Sequence, residues 1–288
     1  MKKALLTLLL CLTSLPSEAA SPRILKVGFT PWENQQDMAR SSQAIVEAMS
    51  RSLKIRVVPF VATDYSGVIE AMRSKKLDVA FLPPAAYVMA RKQAGAKVIL
   101  KSKFGKNALY YAAIITHKDS KIKNLKGLKG RTFAFVDPAS TSGCIYPKVM
   151  LMNAGLNPDR DFSRLIFAGG HDATVLAVLN RQVDAGATYA NNKGTDNAWY
   201  KLLKPADRAK IRVLAYSRPI PSDNISVRGD LDPALEAKIK HFFLAFGETP
   251  KGRKTIKDIY NVDGFDPASD QDYYPVREAF EKVGLKFK

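Results

Sequence analysis

A hydroxyl-rich segment at residues 140–143 (Ser-Thr-Ser-Gly) has the residue types best suited to chemistry in this chain. It follows an apolar run at 132–136, typical of a buried strand, and precedes residues 144–156, which are predicted to be a helix. A helix N-terminus offers unpaired N–H groups and a favourable dipole, so the segment could hold an anion. Helix capping by Ser140 or Thr141 is the simpler interpretation of an isolated Ser-Thr-Ser.

A second segment, residues 169–172 (Gly-Gly-His-Asp), begins another predicted helix. Thirteen residues separate His171 from Asp184, and the same spacing separates Tyr65 from Asp78 in an earlier helix-turn-strand unit. The repeat predicts two similar lobes that present Tyr65 and His171 toward a shared cleft, where ligands of open α/β sheets bind. The alternative is that helix-turn-strand units simply look alike. In such a cleft His171 could donate a ring N–H, or carry charge beside a dianion.

Motifs for catalysis and metal binding are missing from the sequence. The three histidines show no metal-ligand spacing, and no GxxxxGK[ST], GxGxxG, GxSxG or HExxH motif occurs. A hydroxyl of residues 140–142, His171 and a carboxylate could form a triad, but nothing places a nucleophile on an elbow. The sequence therefore predicts an oxyanion site without catalytic residues, metal or cofactor.

Residues 1–20 have the pattern of a secretory signal peptide, with Lys2 and Lys3 before an apolar stretch. Cleavage is predicted near Ala19 or Ala20, which places the mature protein in the periplasm. The remaining 268 residues suffice for two lobes, and Cys144 is their one thiol, so no internal disulfide is expected.

The formal net charge is +18 at pH 7, or +17 without residues 1–20, and attracts anions. The densest basic run, residues 118–131, has no interleaved aromatic residues, which favours a solvated surface over a nucleic-acid site.

Predicted strands and helices alternate at the spacing of parallel sheets flanked by helices. The strands are expected at 23–29, 55–60, 78–82, 97–100, 110–116, 132–136, 165–168, 183–189 and 212–217. The helices are expected at 38–53, 65–74, 85–93, 144–156, from 172 onward, and at 233–246, 250–260 and 272–282. Strand 110–116 is suited to crossing between lobes, and 212–217 to carrying the chain back.

Seven segments together resemble the periplasmic phosphate/phosphite/phosphonate-binding family of ABC transporters, in order along nearly all of the mature chain. They are 64–71 (DYSGVIEA), 77–80 (LDVA), 124–130 (NLKGLKG), 137–143 (DPASTSG), 170–172 (GHD), 183–186 (VDAG) and 217–223 (SRPIPSD). The resemblance implies an α/β, two-lobed periplasmic binding protein of type II, with a mostly parallel sheet in each lobe and two hinge strands. Lobe 1 would comprise residues 21–112 and 213–288, and lobe 2 residues 113–212.

The resemblance also implies which residues bind the oxyanion. They are Tyr65, Tyr110 (with Tyr111 as the alternative), Ser140, Thr141, Ser142 and His171, with Asp223 as an acidic residue near the ligand. A carboxylate beside an anion is costly unless it meets a protonated ligand oxygen or a cationic group. Sulfate, which is unprotonated at neutral pH, would therefore be disfavoured.

Two departures from the family pattern bear on specificity. Family members that bind aminoethylphosphonate carry a carboxylate where this chain has the neutral Asn191, which argues against a strong preference for that amine. Phosphite, phosphate or a small alkylphosphonate is favoured instead. The serine that usually follows the two tyrosines is also missing, because Ala112 stands there.

The predicted function is that of the solute-binding component of an ABC importer. A monomer would close on a phosphorus oxyanion and dock on a membrane permease, without catalysis and without nucleic acid. Two alternatives remain: a secreted phosphoester hydrolase using a hydroxyl of Ser140 or Thr141, and a basic adhesin for acidic polymers. Turnover of a chromogenic phosphoester would identify the first, and salt-sensitive binding without closure the second.

Overall fold

A computed structural model describes residues 24–33 and 35–284, which form twelve strands and ten helices. The predicted signal peptide lies outside these residues. The strands are β1 (Ile24–Phe29), β2 (Arg56–Val61), β3 (Val79–Leu82), β4 (Lys97–Lys103), β5 (Leu109–His117), β6 (Thr132–Phe135), β7 (Arg164–Phe167), β8 (Ala185–Ala190), β9 (Ile211–Tyr216), β10 (Ile220–Pro221), β11 (Asn224–Val227) and β12 (Gly264–Pro267).

Helices cover both sheets that these strands form. They are α1 (Gln35–Leu53), α2 (Tyr65–Arg73), α3 (Pro84–Ala94), α4 (Tyr146–Asn153), α5 (His171–Leu179), α6 (Ala198–Leu202), α7 (Pro205–Arg208), α8 (Pro233–Glu248), α9 (Pro250–Tyr260) and α10 (Tyr274–Lys282). Within the described chain, no helix is both long and apolar enough to span a membrane.

Every predicted strand and helix is present, with ends that differ by about three residues or fewer. The sequence prediction missed β10, β11 and β12, which are short and polar or carry proline. Such strands are formed by pairing with distant neighbours rather than by their own pattern.

The first sheet has the order β12-β4-β11-β3-β1-β2, and the second β10-β5-β8-β6-β7 with β9 also on β5. Each sheet has two parallel pairings, around β1 and around β6, and three antiparallel ones. The sheets are therefore mixed, whereas mostly parallel sheets were predicted, and the predicted α/β class with sheets flanked by helices is confirmed. The direction of β3 and β4 is the same, as alternation predicts, but β11 is inserted between them from a distant part of the chain.

The chain crosses between the sheets twice, at residues 104–108 and at residues 222–223. The two crossings are hydrogen-bonded to each other, because Ser222 N donates to Ala108 O over 3.0 Å. Strand β9, which was expected to carry the chain back, stays in the second sheet. The predicted lobe limits fall inside β5 and β9, and the division into lobes stays a prediction.

Buried apolar residues hold the two sheets against their helices. One cluster lies under β1 and includes Leu25 and Phe243. The other cluster joins helices of the first sheet to the second sheet, and it includes Val68 on α2 and Phe133 on β6. The candidate site lies between the two sheets, at the carboxyl ends of the parallel strands of each sheet.

Candidate functional site

A cavity of about 650 Å³, including the space open to solvent, lies where the loops of the two sheets meet. Seven of the eight predicted site residues line it: Tyr65, Tyr110, Ser140, Ser142, His171, Asn191 and Asp223. Their segments are separated by up to 158 positions in the sequence. Most of these residues converge because their loops follow the carboxyl ends of strands, whereas Tyr110 lies at the amino end of β5, which runs antiparallel to β8.

Thr141 is the predicted residue outside this lining. Its Oγ1 accepts a hydrogen bond from Ala85 N at the start of α3, over 2.8 Å, and the side chain is buried. Thr141 therefore links the second sheet's loop to a helix of the first sheet. Direct contact between Thr141 and a ligand stays a prediction.

Ser140 has two structural roles. Its Oγ accepts a hydrogen bond from Gly143 N over 3.1 Å, so the interpretation as a helix cap is confirmed for this residue. The segment Thr141–Ile145 is a π-helical turn, a wide turn that often marks functional sites. Gly143 is required there, because a Cβ would overlap the side chain of Val136. The capping hydroxyl and the next serine both line the cavity.

Tyr65 and Tyr110 are buried beside these serines, at 1% and 5% exposure. Burial raises the pKa of both phenols well above the usual value, and the charge of Asp223 raises it further. A hydrogen bond with the hydroxyl of Ser140 lowers the pKa of Tyr65. Hydrogen bonds with the hydroxyls of Thr141 and Ser142 lower the pKa of Tyr110. Both phenols therefore remain neutral donors at physiological pH.

Of the two candidate tyrosines on β5, Tyr110 is the one in the cavity lining. Tyr111 is half-buried elsewhere, where its ring meets the ring of Tyr216 edge to face, with centroids 6.4 Å apart. The alternation of side chains along a strand explains why only one of the pair can face the site.

His171 begins α5 and is 4% exposed. Its backbone N donates to Trp32 O over 3.0 Å, and its Nδ1 lies 2.9 Å from Thr188 Oγ1. Burial, with a contribution from the charge of Lys201, lowers the pKa of the imidazole to about 3. The ring is therefore neutral at physiological pH, and a charged His171 would need a nearby anion to raise that pKa.

Asp223 lies in the crossing segment between β10 and β11 and lines the cavity. Burial by the cavity walls raises the pKa of its carboxyl to about 7. Near neutral pH this group is divided between its charged and neutral forms. It can accept a proton from a ligand or donate one.

Asn191 follows β8 and also lines the cavity. Its Nδ2 donates to Asp196 Oδ1 over 3.1 Å, and the same oxygen accepts from Asn261 Nδ2 over 2.7 Å. Asn261 follows α9, so Asp196 joins the two sides of the cavity.

One wall of the cavity is aromatic, which was not predicted from the sequence. The rings of Phe81 and Tyr260 stack 4.9 Å apart, and Trp32 stacks on Tyr260 at 6.1 Å. The hydroxyls of Tyr189 and Tyr260 and the Nε1 of Trp32 are buried without a hydrogen-bond partner among the described residues. Trp32 was predictable, since it follows the first strand as residues 137–143 follow β6, whereas Tyr260 reaches the site through distant packing of α9.

Contacts across the cavity hold its two sides together. Glu33 Oε2 lies 3.1 Å from Lys201 Nζ, which in turn lies 4.1 Å from the centre of the Trp32 ring. Tyr65 N donates to Asp137 Oδ2 over 3.5 Å. The described conformation is therefore one in which the two sheets contact each other around the cavity.

Comparison with known proteins identifies the family. Residues 27–273 match a family model described as "ABC transporter, phosphonate, periplasmic substrate-binding protein". The chain belongs to this family. A phosphonates-binding periplasmic protein of Escherichia coli is 30% identical over 261 residues, which cover 89% of this chain and 75% of that protein. A phosphate-import protein of Mycolicibacterium smegmatis is 28% identical over 285 residues, which cover 91% of this chain and 87% of that protein.

Solved structures of binding proteins have the same fold. A Prochlorococcus marinus protein in complex with methylphosphonate has a TM-score of 0.81 and 26% identity, over 92% of this chain and all of that one. A binding component of an ABC phosphonate transporter from Pseudomonas aeruginosa gives the same two values over 90% and 86% of the chains. The predicted family, the type II binding-protein fold and the role as a transporter's solute-binding component are confirmed.

Proposed function

We propose that this periplasmic substrate-binding protein holds a phosphorus oxyanion in the cavity between its two sheets. The observation that carries the proposal is the convergence of hydroxyl, phenol and imidazole donors on one cavity. Methylphosphonate, the ligand in the structure of the P. marinus relative, supports the same ligand class.

The donors in the lining suit an anion that is carried and then released. Ser140, Ser142, Tyr65 and Tyr110 are almost fully buried and neutral, so each hydrogen bond to an anion is strengthened by the low local dielectric. Neutral donors also avoid the desolvation of a buried lysine or arginine. Contacts between the sheets would exclude water once the ligand is bound.

Asp223 favours a ligand that can share a proton. With a pKa of about 7, its carboxyl can exchange a proton with a phosphonate or phosphate oxygen, whose second pKa lies near 6 in phosphate esters. Sulfate has no such proton at neutral pH, so a hydrogen bond between sulfate and Asp223 requires that the carboxyl itself take up a proton, and sulfate binding should weaken as pH rises above 7. We therefore expect the site to bind phosphite, phosphate or a small alkylphosphonate more tightly than sulfate.

Export and docking involve the whole protein. The signal peptide at residues 1–20 would be removed near Ala19 or Ala20, and the mature monomer would present its closed form to a membrane permease. The site binds without catalysing a reaction and without nucleic acid.

The hydrolase alternative gains no support from the site. The hydroxyl of Ser140 serves as a helix cap, and Nδ1 of His171 faces the hydroxyl of Thr188 rather than a carboxylate. A Ser-His-acid arrangement needs an acidic group at that ring nitrogen to stabilise the imidazolium.

Thermal unfolding of the mature protein would test the proposal against phosphite, phosphate, methylphosphonate, aminoethylphosphonate and sulfate, at one high salt concentration. A ligand that binds the folded state at 100 times its Kd stabilises it by about 2.7 kcal/mol, which raises the melting temperature visibly. We expect a rise with at least one phosphorus oxyanion and none with sulfate. An equal rise with all anions, or none in protein stripped of ligand, would refute the proposal.

A further inference from the structure

Thr188 is a buried residue behind the cavity wall that the proposed function does not yet use. It lies on β8, is fully buried, and places its Oγ1 2.9 Å from Nδ1 of His171. Across the described ranges, 24–33 and 35–284, that ring nitrogen is the sole hydrogen-bond partner of this hydroxyl. In this single hydrogen bond either Thr188 Oγ1 or His171 Nδ1 is the donor.

The direction follows from the cost of each arrangement. A neutral imidazole carries one N–H donor and one nitrogen acceptor, and a hydroxyl has one proton to donate. If Nδ1 donated to Thr188, the hydroxyl proton would be buried without an acceptor, which is the costlier defect. If Thr188 donates to Nδ1, the proton is paired, and only a lone pair on oxygen stays unused.

We propose that Thr188 is a positioning residue that donates to Nδ1 and thereby holds His171 in the tautomer with its proton on Nε2. Nε2 is the ring nitrogen without a hydrogen-bond partner among the described residues, and His171 lines the cavity. The role of this N–H toward an oxyanion rests on the proposed function; the tautomer itself does not.

Neighbouring groups hold the ring in the same orientation. The ring of Tyr189 meets the imidazole edge to face, with centroids 5.0 Å apart and planes at 88°, and the His171 backbone N is bonded to Trp32 O. The positive charge of Lys201 acts against protonation of the ring. The site thus presents a fixed, neutral N–H donor, which requires no proton uptake before an anion binds.

The tautomer can be measured directly in the ligand-free protein. Long-range ¹H–¹⁵N spectra of histidine-labelled protein distinguish a protonated from an unprotonated ring nitrogen, and the chain has only three histidines. A His171→Gln sample assigns the signal. We expect protonated Nε2 and unprotonated Nδ1 at pH 7. A proton on Nδ1, or an even mixture of tautomers, would overturn the proposal.

Variants at position 188 test the positioning role. Thr188→Val keeps the shape without the hydroxyl and should yield mixed tautomers and about tenfold weaker binding of methylphosphonate, the usual range for one lost hydrogen bond. Thr188→Ser should restore the single tautomer and most of the affinity. Thr116→Val is the matched control, because Thr116 is equally buried on β5 and its hydroxyl donates to Asp184 O instead.

The outcomes separate the two claims. If wild-type protein binds no phosphorus oxyanion, the proposed function fails, whereas the spectrum still decides the tautomer. If Thr188→Val keeps a single Nε2–H tautomer and unchanged affinity, Thr188 does not position the ring. If this variant does not fold, the wild-type spectrum and Thr188→Ser remain decisive.

Discussion

Helices α2 and α5 are two versions of one construction. Both span nine residues, and each is followed by an aspartate that accepts from a strand amide: Asp78 from Lys26 N over 2.8 Å, and Asp184 from Thr132 N over 2.9 Å. This repeated geometry supports the interpretation of the sequence repeat as two similar units, since mere similarity of pattern would not place the same bond in both. The first side chains of the two helices, a phenol and an imidazole, line the same cavity.

The two helices differ in how their starts are held. The side chain of Asp64 caps α2 by accepting from Gly67 N over 2.7 Å, whereas α5 begins at Gly170 without a side-chain cap. Across the cavity, Tyr65 N meets a carboxylate, and His171 N meets the backbone carbonyl of Trp32. The start of α2 is thus held by two carboxylates, and the start of α5 by a backbone carbonyl.

Nearby charges also differ between the two helix starts. The charge of Asp223 contributes to the raised pKa of Tyr65, whereas the charge of Lys201 contributes to the lowered pKa of His171. The folded pKa of Asp223, about 7, lies above the unfolded value of about 3.9, so the folded state binds more protons between these values. The contribution of Asp223 to the stability of the ligand-free protein should therefore be fully present below about pH 4 and should be lost as pH rises toward 7. The full loss would be about 2–4 kcal/mol.

Urea unfolding of wild-type protein and Asp223→Asn at pH 5 and pH 8 measures this effect. The neutral amide should abolish the decline attributable to this residue and make the variant the more stable protein at pH 8. A decline of equal size in both proteins would show that Asp223 is not the group responsible. Glu281→Gln, at an exposed position, is the control for loss of a carboxylate.

The two helix starts should also contribute unequally to affinity. His171→Ala should weaken oxyanion binding by about 1.5–3 kcal/mol, as for a donor to a charged group that is removed with its ring. Tyr65→Phe removes only a hydroxyl and keeps the ring, so its cost should lie at the lower end of that range, at about 1.5 kcal/mol. Calorimetric titration with methylphosphonate compares them, with His241→Ala and Tyr111→Phe as controls outside the lining. Equal affinities for His171→Ala and wild type would remove His171 from the site.

The smallest effect concerns the caps. Asp64→Ala should lower the free energy of unfolding by about 1 kcal/mol, because Gly67 N loses its acceptor. Gly170→Ser should change it by only a few tenths of a kcal/mol through capping, since glycine caps nearly as well as serine, although the side chain of Asp172 must turn away from the new Cβ. Denaturant unfolding checks both; a large loss in Gly170→Ser would mean that displacing Asp172 costs more than the cap contributes.

The sequence predicted the parts of the site that depend on local structure. Ser140, Ser142, His171 and Tyr65 lie directly after strands or at helix starts, positions that hydrophobic pattern and capping residues reveal. The exact use of a hydroxyl was not predictable in the same way: Thr141 lies next to two lining serines, yet its oxygen is bonded to Ala85 N.

The parts that were missed depend on distant pairing. Strand β11 enters the first sheet between β3 and β4, and no local pattern of four residues records that insertion. Tyr260, Thr188 and Asp196 reach the site or its supporting contacts through packing of segments far apart in the chain. Mixed sheets and the aromatic wall therefore became visible only in three dimensions.

The bonded pair of crossing segments has a consequence for the order of events in binding. Asp223 lies in one of these segments, and its own backbone oxygen accepts from Ser102 N at the end of β4. If the two sheets pivot about these crossings, Asp223 lies on the axis and moves least, whereas Tyr65 and His171 travel with their sheets. An incoming anion would then meet Asp223 while the protein is still open. An anion that cannot share a proton with this carboxyl would dissociate before the protein has closed around it.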